Sequence, residues 1–257
     1  MKRINQYITE KLRVNKNKSD KYTLFPETKE ELTEMIKKEM NKNGSECSLN
    51  HIDVSKITDM SELFYKNTLD LFNGDISEWD VSNVNDMSNM FYHSRYTGKN
   101  GDISEWDVSN VKDMRYMFSY SAYCNDISSW DVSNVTNMEG MFEGTKNFNG
   151  DLSVWDVSSV TTMAGMFDSS VFNNDISDWD VSNVIAMSYM FCNNKVFNQP
   201  ISNWNVSGVK DMNSMFCATK EFNQDISKWK INPDCDTDDI FSGCNIEEKY
   251  KPKLPNK

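Results

Sequence analysis

Apolar residues recur along this chain in one fixed pattern, which repeats every 24 to 27 residues. Aligned on tryptophan, the pattern reads D-I-S-x-W-D-V-S-N-V-x-x-M-x-x-M-F. One copy is too short to bury its own apolar residues, so neighbouring copies must stack and share a core. We therefore predict an array over residues 49–244, whose first and last copies are degenerate. The eight copies start at Leu49, Ile76, Ile103, Ile127, Leu152, Ile176, Ile201 and Ile226.

Within a copy, the apolar spacing predicts a strand followed by a helical turn. Apolar residues fall at 0, +3, +5 and +8 from the copy's start, which is the skeleton of a leucine-rich repeat. The M-x-x-M-F element then spaces apolar residues at i, i+3 and i+4, the period of a helix. The predicted fold class is an α/β solenoid: a right-handed leucine-rich-repeat-like coil with a parallel strand ladder and short helical turns.

The tryptophan at +3 is predicted to point inward and to form the structural core. An exposed tryptophan column could instead stack on sugars, but the inward position argues against that use. A buried tryptophan removes on the order of 200 Å² from water. The column comprises Trp79, Trp106, Trp130, Trp155, Trp179, Trp204 and Trp229.

The segments that flank the array differ from it in composition. Residues 1–48 are predicted to form N-terminal helices that cap the first copy, beginning with an amphipathic helix over residues 1–14. The second helix has a capping-box pattern at Thr28 and Glu31, and Gly44 can end it. Residues 245–257 are predicted to be a short basic tail.

The net charge of −12 makes nucleic acid an unlikely partner, because an acidic array repels phosphate. No stretch of about 18 apolar residues occurs, so no transmembrane segment is predicted, and the N-terminus lacks the apolar run of a secretory signal. The cysteines lack CxxC spacing, which favours free thiols. Cys192 and Cys217 follow a core phenylalanine in adjacent copies, which leaves a disulfide there open.

The aspartate at +4 is the column that packing does not require. On a parallel strand face its carboxylates would lie about 4.8 Å apart and repel one another. Bonds to the serine at +6 and to water could offset the repulsion, as could a basic partner or weakly held calcium. A metal site is not predicted, and no cofactor beyond such weak calcium binding is expected. This aspartate column comprises Asp53, Asp80, Asp107, Asp131, Asp156 and Asp180.

The outward +2 column varies in chemistry and is therefore predicted to set specificity. Its acidic members, Glu78, Glu105 and Asp178, complete the predicted binding residues. Catalysis is not expected: His51 and His93 are the only histidines, and they fall in different copies and columns. No phosphate-binding, nucleophile-elbow or zinc-protease motif occurs, so the chain is predicted not to be an enzyme.

The run of residues 151–167, D-L-S-V-W-D-V-S-S-V-T-T-M-A-G-M-F, resembles the repeat of BspA-like leucine-rich-repeat surface proteins, which also occurs in mycoplasma surface lipoproteins. Residues 28–32 and 49–55 resemble the region that precedes such arrays. The resemblance implies adhesion or protein binding at the cell surface or after secretion. We therefore predict a non-enzymatic module that binds a protein through its strand face, and the acidic columns there suit a basic partner. The alternatives are a structural spacer in an envelope or virion, and a calcium-stabilised adhesin.

Overall fold

The structure is a computed structural model, and it describes residues 21–65 and 69–255. The helix that follows the capping-box pattern is present as α1, Lys29–Asn43. The Thr28 side chain accepts a hydrogen bond from the Glu31 N–H at 3.2 Å, and Gly44, at φ 86°, ends the helix. The helix predicted over residues 1–14 lies outside the described residues.

The predicted parallel strand ladder, and with it the α/β solenoid class, is wrong. In the described residues, β-type pairing is limited to isolated parallel bridges, and the only helices besides α1 are the 3-10 turns Leu69–Leu71 and Glu248–Tyr250. Each copy is instead a coil of turns, numbered 1–8 from Leu49 to Ile226. One series of bridges joins all eight coils, through Asp59, Asp86, Asp113, Asn137, Thr162, Ala186, Asp211 and Asp236.

Each coil contains turns in which an aspartate fixes the backbone ahead of it. In coil 2, Asp75 Oδ1 accepts the Ser77 N–H at 3.0 Å. The Ile76 carbonyl then accepts the N–H of Trp79 at 3.2 Å, which closes the turn. Aspartate favours this geometry because its short side chain satisfies a backbone amide two residues further on.

The same turn follows twice more in coil 2, after Asp80 and after Asp86. Their Oδ1 atoms accept the N–H groups of Ser82 at 3.3 Å and Ser88 at 2.8 Å. The repeat is therefore a series of related turns, each of the form D-apolar-x-x-apolar. The apolar residues at +3 and +5 point inward because they close one turn and open the next, not because a strand alternates.

The helical turn predicted for M-x-x-M-F is also wrong. Two residues after the first core residue of this element, the backbone is left-handed in every coil, with φ near +56° at Asn89 and +61° at Gly165. A left-handed residue ends a helix, so alternate N–H groups turn toward the neighbouring coil. Asn89 and Phe91 donate to the Arg115 and Met117 carbonyls of coil 3 at 2.8 and 2.9 Å. The element therefore joins coils to one another.

The tryptophan column is buried and also bridges coils. All seven side chains are 3–5% exposed. Each indole Nε1–H donates to the carbonyl of the residue that starts the preceding coil; for Trp155 the acceptor is Ile127, at 3.1 Å. Columns of methionine and phenylalanine fill the rest of the core, with Phe167 and Phe191 stacked 5.8 Å apart. Tryptophan thus contributes both to the packing of the core and to hydrogen bonding between coils.

Both ends of the stack are covered within the described residues. At the start, Leu24 bridges Ile52, and α1 buries Leu32 and Ile36 against the core. At the other end, the Ile226 N–H donates to the Tyr250 carbonyl at 3.0 Å, and Ile246 is buried. The segment predicted as a basic tail therefore packs on the core of the array, through Ile246, Tyr250 and Leu254. The domain boundaries themselves stay a prediction.

Candidate binding surface

The aspartate column predicted as a binding stripe lies on the surface and builds the turns. Asp131 Oδ1 accepts both the N–H and the hydroxyl of Ser133, at 3.1 and 2.6 Å. These two bonds lower the pKa of Asp131, and the corresponding bonds from Ser182 lower the pKa of Asp180. Asp53 and Asp80 are half-exposed, and the other four are exposed. A binding role for this column stays a prediction.

In the described residues, the acidic side chains of the +2 column and those of the aspartate column do not line one shared pocket. Glu78 pairs with Lys21 at 2.6 Å, and Glu105 and Asp178 are exposed in coils 3 and 6. The predicted binding residues thus spread over coils 1–6. In the part of the chain that the structure describes, no three acidic, histidine or cysteine side chains gather as a metal site would require. All six cysteines are free thiols.

A concave site does occur along the M-x-x-M-F elements of neighbouring coils. The residues between the core positions of this element vary in chemistry from coil to coil. We call the concavity in coils 3–6 the Met-turn groove. Its lining residues are Tyr116, Glu139, Glu143, Ala164, Gly165, Asp168, Ser188 and Tyr189.

Tyr116 forms one wall of the Met-turn groove, and Tyr120 lies beside it. Glycines make room for both rings in the next coil. A Cβ atom on Gly140 would lie 2.2 Å from the Tyr116 ring, and one on Gly144 would lie 2.4 Å from the Tyr120 ring. Both glycines also have positive φ, at 57° and 65°. Each tyrosine of coil 3 therefore lies flat across coil 4, a contact that any larger residue would block.

The tyrosine hydroxyls hold the carboxylates of coil 4. Tyr116 donates to Glu139 at 2.6 Å, and Tyr120 donates to Glu143 at 3.2 Å. The pKa of Tyr116 is raised, first by burial and then by its bond to Glu139, so its proton stays in place at neutral pH. The acidic groups of the groove are thus positioned by neighbours that are themselves fixed.

The floor of the Met-turn groove is open. Gly165 occupies the column that holds Tyr116 in coil 3 and Tyr189 in coil 6, and no atom lies within 4 Å of the place where its Cβ would be. Tyr189, 47% exposed, stands on the far side. Burial raises the pKa of Glu143 and of Asp168, because the charged forms lose water. The groove therefore offers half-buried carboxylates to a positive group.

An aromatic cluster adjoins the tyrosine wall. His93 stacks on Tyr120 with ring centroids 4.8 Å apart, and Tyr92 meets Tyr116 edge-on at 6.3 Å. The Tyr120 ring is 45% exposed. Solvent-accessible aromatic rings of this kind add apolar area to the rim of the groove.

Sequence reasoning missed this groove because it assigned the whole M-x-x-M-F element to packing. The residues that indicate the groove are those at the variable positions of the motif. Tyrosines at 116 and 120 precede glycines at the equivalent positions 140 and 144 of the next copy. Large residues facing small ones in successive copies indicate rings that lie across the stack.

In the described residues, none of the helices has the length and apolar character that crossing a bilayer needs. Neither the curated proteins nor the solved structures contain a significant match to this chain.

Comparison with protein families gives four overlapping matches to one repeat family, over residues 30–154, 97–174, 119–191 and 149–252. Together they extend from α1 through coil 8 into the segment that follows it. The predicted resemblance to mycoplasma repeat proteins is confirmed at this level, and the narrower BspA-like leucine-rich-repeat assignment stays a prediction. The chain belongs to the family described as Mycoplasma protein of unknown function, DUF285.

Proposed function

We propose that this chain is a non-enzymatic protein-binding module that holds a lysine or arginine side chain of a basic partner segment in the Met-turn groove. The observation that supports this most is the placement of three carboxylates, Glu139, Glu143 and Asp168, around the open floor at Gly165. A concave site with aromatic walls and a few placed charges is the usual form of a side-chain recognition pocket.

A lysine or arginine side chain suits this groove through both its apolar stem and its charged end. Its methylene stem can pack along the rings of Tyr116 and Tyr189, and its charged end gains from ring faces and carboxylates together. Lys146 lies within electrostatic reach of Asp168, but its ammonium donates to the Ser169 carbonyl. A partner cation would favour the charged forms of Glu143 and Asp168 and so counteract the effect of burial, which raises their pKa.

The same reasoning disfavours catalysis as the function. Serine and aspartate recur together because they form turns, and His51 and His93 lie in coils 1 and 2 of the stack. A module of this kind is suited to adhesion, and the resemblance to mycoplasma surface lipoproteins supports a place outside the cell. Adhesion and a location outside the cell are therefore part of the function that we propose.

A titration with a pentalysine peptide tests the groove, with a serine–glycine peptide of equal length as the ligand control. Gly165→Tyr fills the floor with the residue that already adopts this left-handed conformation at Tyr116 and Tyr189. A thermal melt of the variant checks that it is folded. We expect at least about tenfold weaker binding for Gly165→Tyr and for Asp168→Asn, since bonds to charged groups contribute about 1.5–3 kcal/mol.

The matched control is Asp131→Asn, which removes one charge from the aspartate column, outside the groove. It should bind pentalysine within about twofold of wild type, because a screened surface charge contributes little. Equal affinity of wild type and Gly165→Tyr would overturn the proposal and favour the spacer interpretation. Equal loss in Asp131→Asn and Asp168→Asn would show that net charge, not the groove, attracts the peptide.

A further inference from the structure

Two cysteines continue the column that brings Asp168 to the edge of the Met-turn groove. This column holds the fifth residue after the first methionine of each M-x-x-M-F element, which is Asp168 in coil 5, Cys192 in coil 6 and Cys217 in coil 7. Cys192 is buried, and Cys217 is partly exposed. The proposed function does not use either thiol.

The neighbouring residues fix the register of these two cysteines. The rings of Phe191 and Phe216, one residue earlier, stack 5.6 Å apart and only 13° from parallel. One residue later, the Asn193 N–H donates to the Cys217 carbonyl at 2.8 Å. Backbones held this way place equivalent Cα atoms about 5–6 Å apart, within the range that a disulfide spans.

The two thiols interact across the coils, because the side chain of Cys217 is among the groups that raise the pKa of Cys192. Both residues come from the same position of their coils, so the two Cβ atoms leave their backbones in similar directions.

We propose that Cys192 and Cys217 form a reversible disulfide that staples coil 6 to coil 7 beside the groove. The oxidant is a low-molecular-weight disulfide such as oxidised glutathione. The Cys217 thiolate attacks one of its sulfurs and releases the first small thiol. The Cys192 thiolate then attacks the Cys217 sulfur of the mixed disulfide and releases the second. Two protein thiols are oxidised, and one small disulfide is reduced to two thiols.

The order of these steps follows from exposure. Cys217 is the more accessible thiol, so it meets the oxidant first. Burial, followed by the nearby Asp168 carboxylate, raises the pKa of Cys192 to about 12, so the second step is slower and accelerates with rising pH. The inference does not depend on whether the groove binds a partner.

Cys244 is the competing partner, because it also lies within electrostatic reach of Cys217. Its thiol is directed at the Phe222 carbonyl, 3.7 Å away, and it belongs to a different column. The alignment of equivalent positions in adjacent coils therefore favours Cys192 over Cys244 as the partner of Cys217. Cys124 makes a suitable control because it is partly buried in coil 3 and bonds the Thr97 carbonyl.

The full chain, treated with oxidised glutathione under native conditions, tests the staple by peptide mapping and thermal melting. We expect one linked peptide pair, Cys192 to Cys217, and a Tm several degrees above that of the reduced protein, reversed by a reductant. Cys192→Ser should lose both effects and retain glutathione on Cys217, whereas Cys124→Ser should keep both. A Cys217 to Cys244 link, or a lasting glutathione adduct on Cys217 in wild type, would overturn the inference.

Discussion

Replacement of Trp155 probes how neighbouring coils hold one another. The side chain is 3% exposed, and its Nε1–H donates to the Ile127 carbonyl of coil 4 at 3.1 Å. That carbonyl also accepts the Trp130 N–H at 3.2 Å, so it keeps one partner when the indole is removed. The two contributions of Trp155, packing and bonding, can therefore be separated by substitution.

Trp155→Ala should cost about 3–5 kcal/mol for lost burial and the cavity that remains. The lost hydrogen bond adds about 1 kcal/mol, since the acceptor is left half-satisfied and not bare. Trp155→Phe keeps a ring in place and should cost only about 1–2 kcal/mol, for the lost hydrogen bond and a small change of shape. Against a total stability of about 5–15 kcal/mol, the alanine variant is close to unfolding.

Scanning calorimetry provides the measurement. For a chain of this size, the alanine variant should melt roughly 10–20 °C below wild type, and Trp155→Phe a few degrees below. Trp229→Ala in coil 8 is the matched control, because an end coil shares its burial with a single tryptophan-bearing neighbour and can fray locally. Its Tm should fall by much less. A Trp155→Ala melt within about 2 °C of wild type would refute the inward, bridging assignment, as would equal losses at Trp155 and Trp229.

Two further predictions concern the aspartate column. Asp131 and Asp180 have lowered pKa values in the fold, so their contribution is complete above the unfolded pKa and is lost as pH falls through the folded pKa. In this column Asn205 already accepts a bond from the Ser207 hydroxyl at 2.7 Å. The double variant Asp131→Asn, Asp180→Asn should therefore match the wild-type Tm at neutral pH and lose less stability below about pH 4. Stability curves of the two proteins that fall in parallel with acid would argue against the turn role. Millimolar calcium should leave the wild-type Tm unchanged, because the described residues gather no three carboxylates at a metal site, and a calcium-dependent rise would restore the adhesin alternative.

Features that depend on local chemistry could be predicted from the sequence. Thr28 and Glu31 mark the start of α1, and Gly44 marks its end, because capping needs only residues close in sequence. The repeat length and the burial of the tryptophans follow from the spacing of apolar residues. Their depth in the core does not depend on whether the backbone between them is a strand or a turn.

The strand prediction was wrong because alternation of apolar residues has two physical causes. In I-S-E-W-D-V, inward residues two apart also result when one turn closes at tryptophan and the next opens at valine. The motif D-x-S recurs five residues apart, at Asp75 and again at Asp80. That period belongs to turns closed by aspartate, and it identifies the architecture better than hydrophobicity does.

The Met-turn groove could not be predicted from a single repeat. It depends on the left-handed backbone after the first methionine and on rings that cross from one coil to the next. Tyr116 reaches Glu139 only because Gly140 has no side chain there. Such a contact is a property of two unlike copies side by side.

A direct comparison of the two faces tests the central claim. One triple variant reverses charge on the turn face, at Asp107, Asp131 and Asp156, and the other on the groove face, at Glu139, Glu143 and Asp168, each change being to lysine. The two variants carry the same net charge, so a pentalysine titration at one ionic strength separates location from total charge. We expect the groove variant to lose binding while the turn-face variant retains most of it. Loss in the turn-face variant alone would assign binding to the aspartate column and rule out the groove.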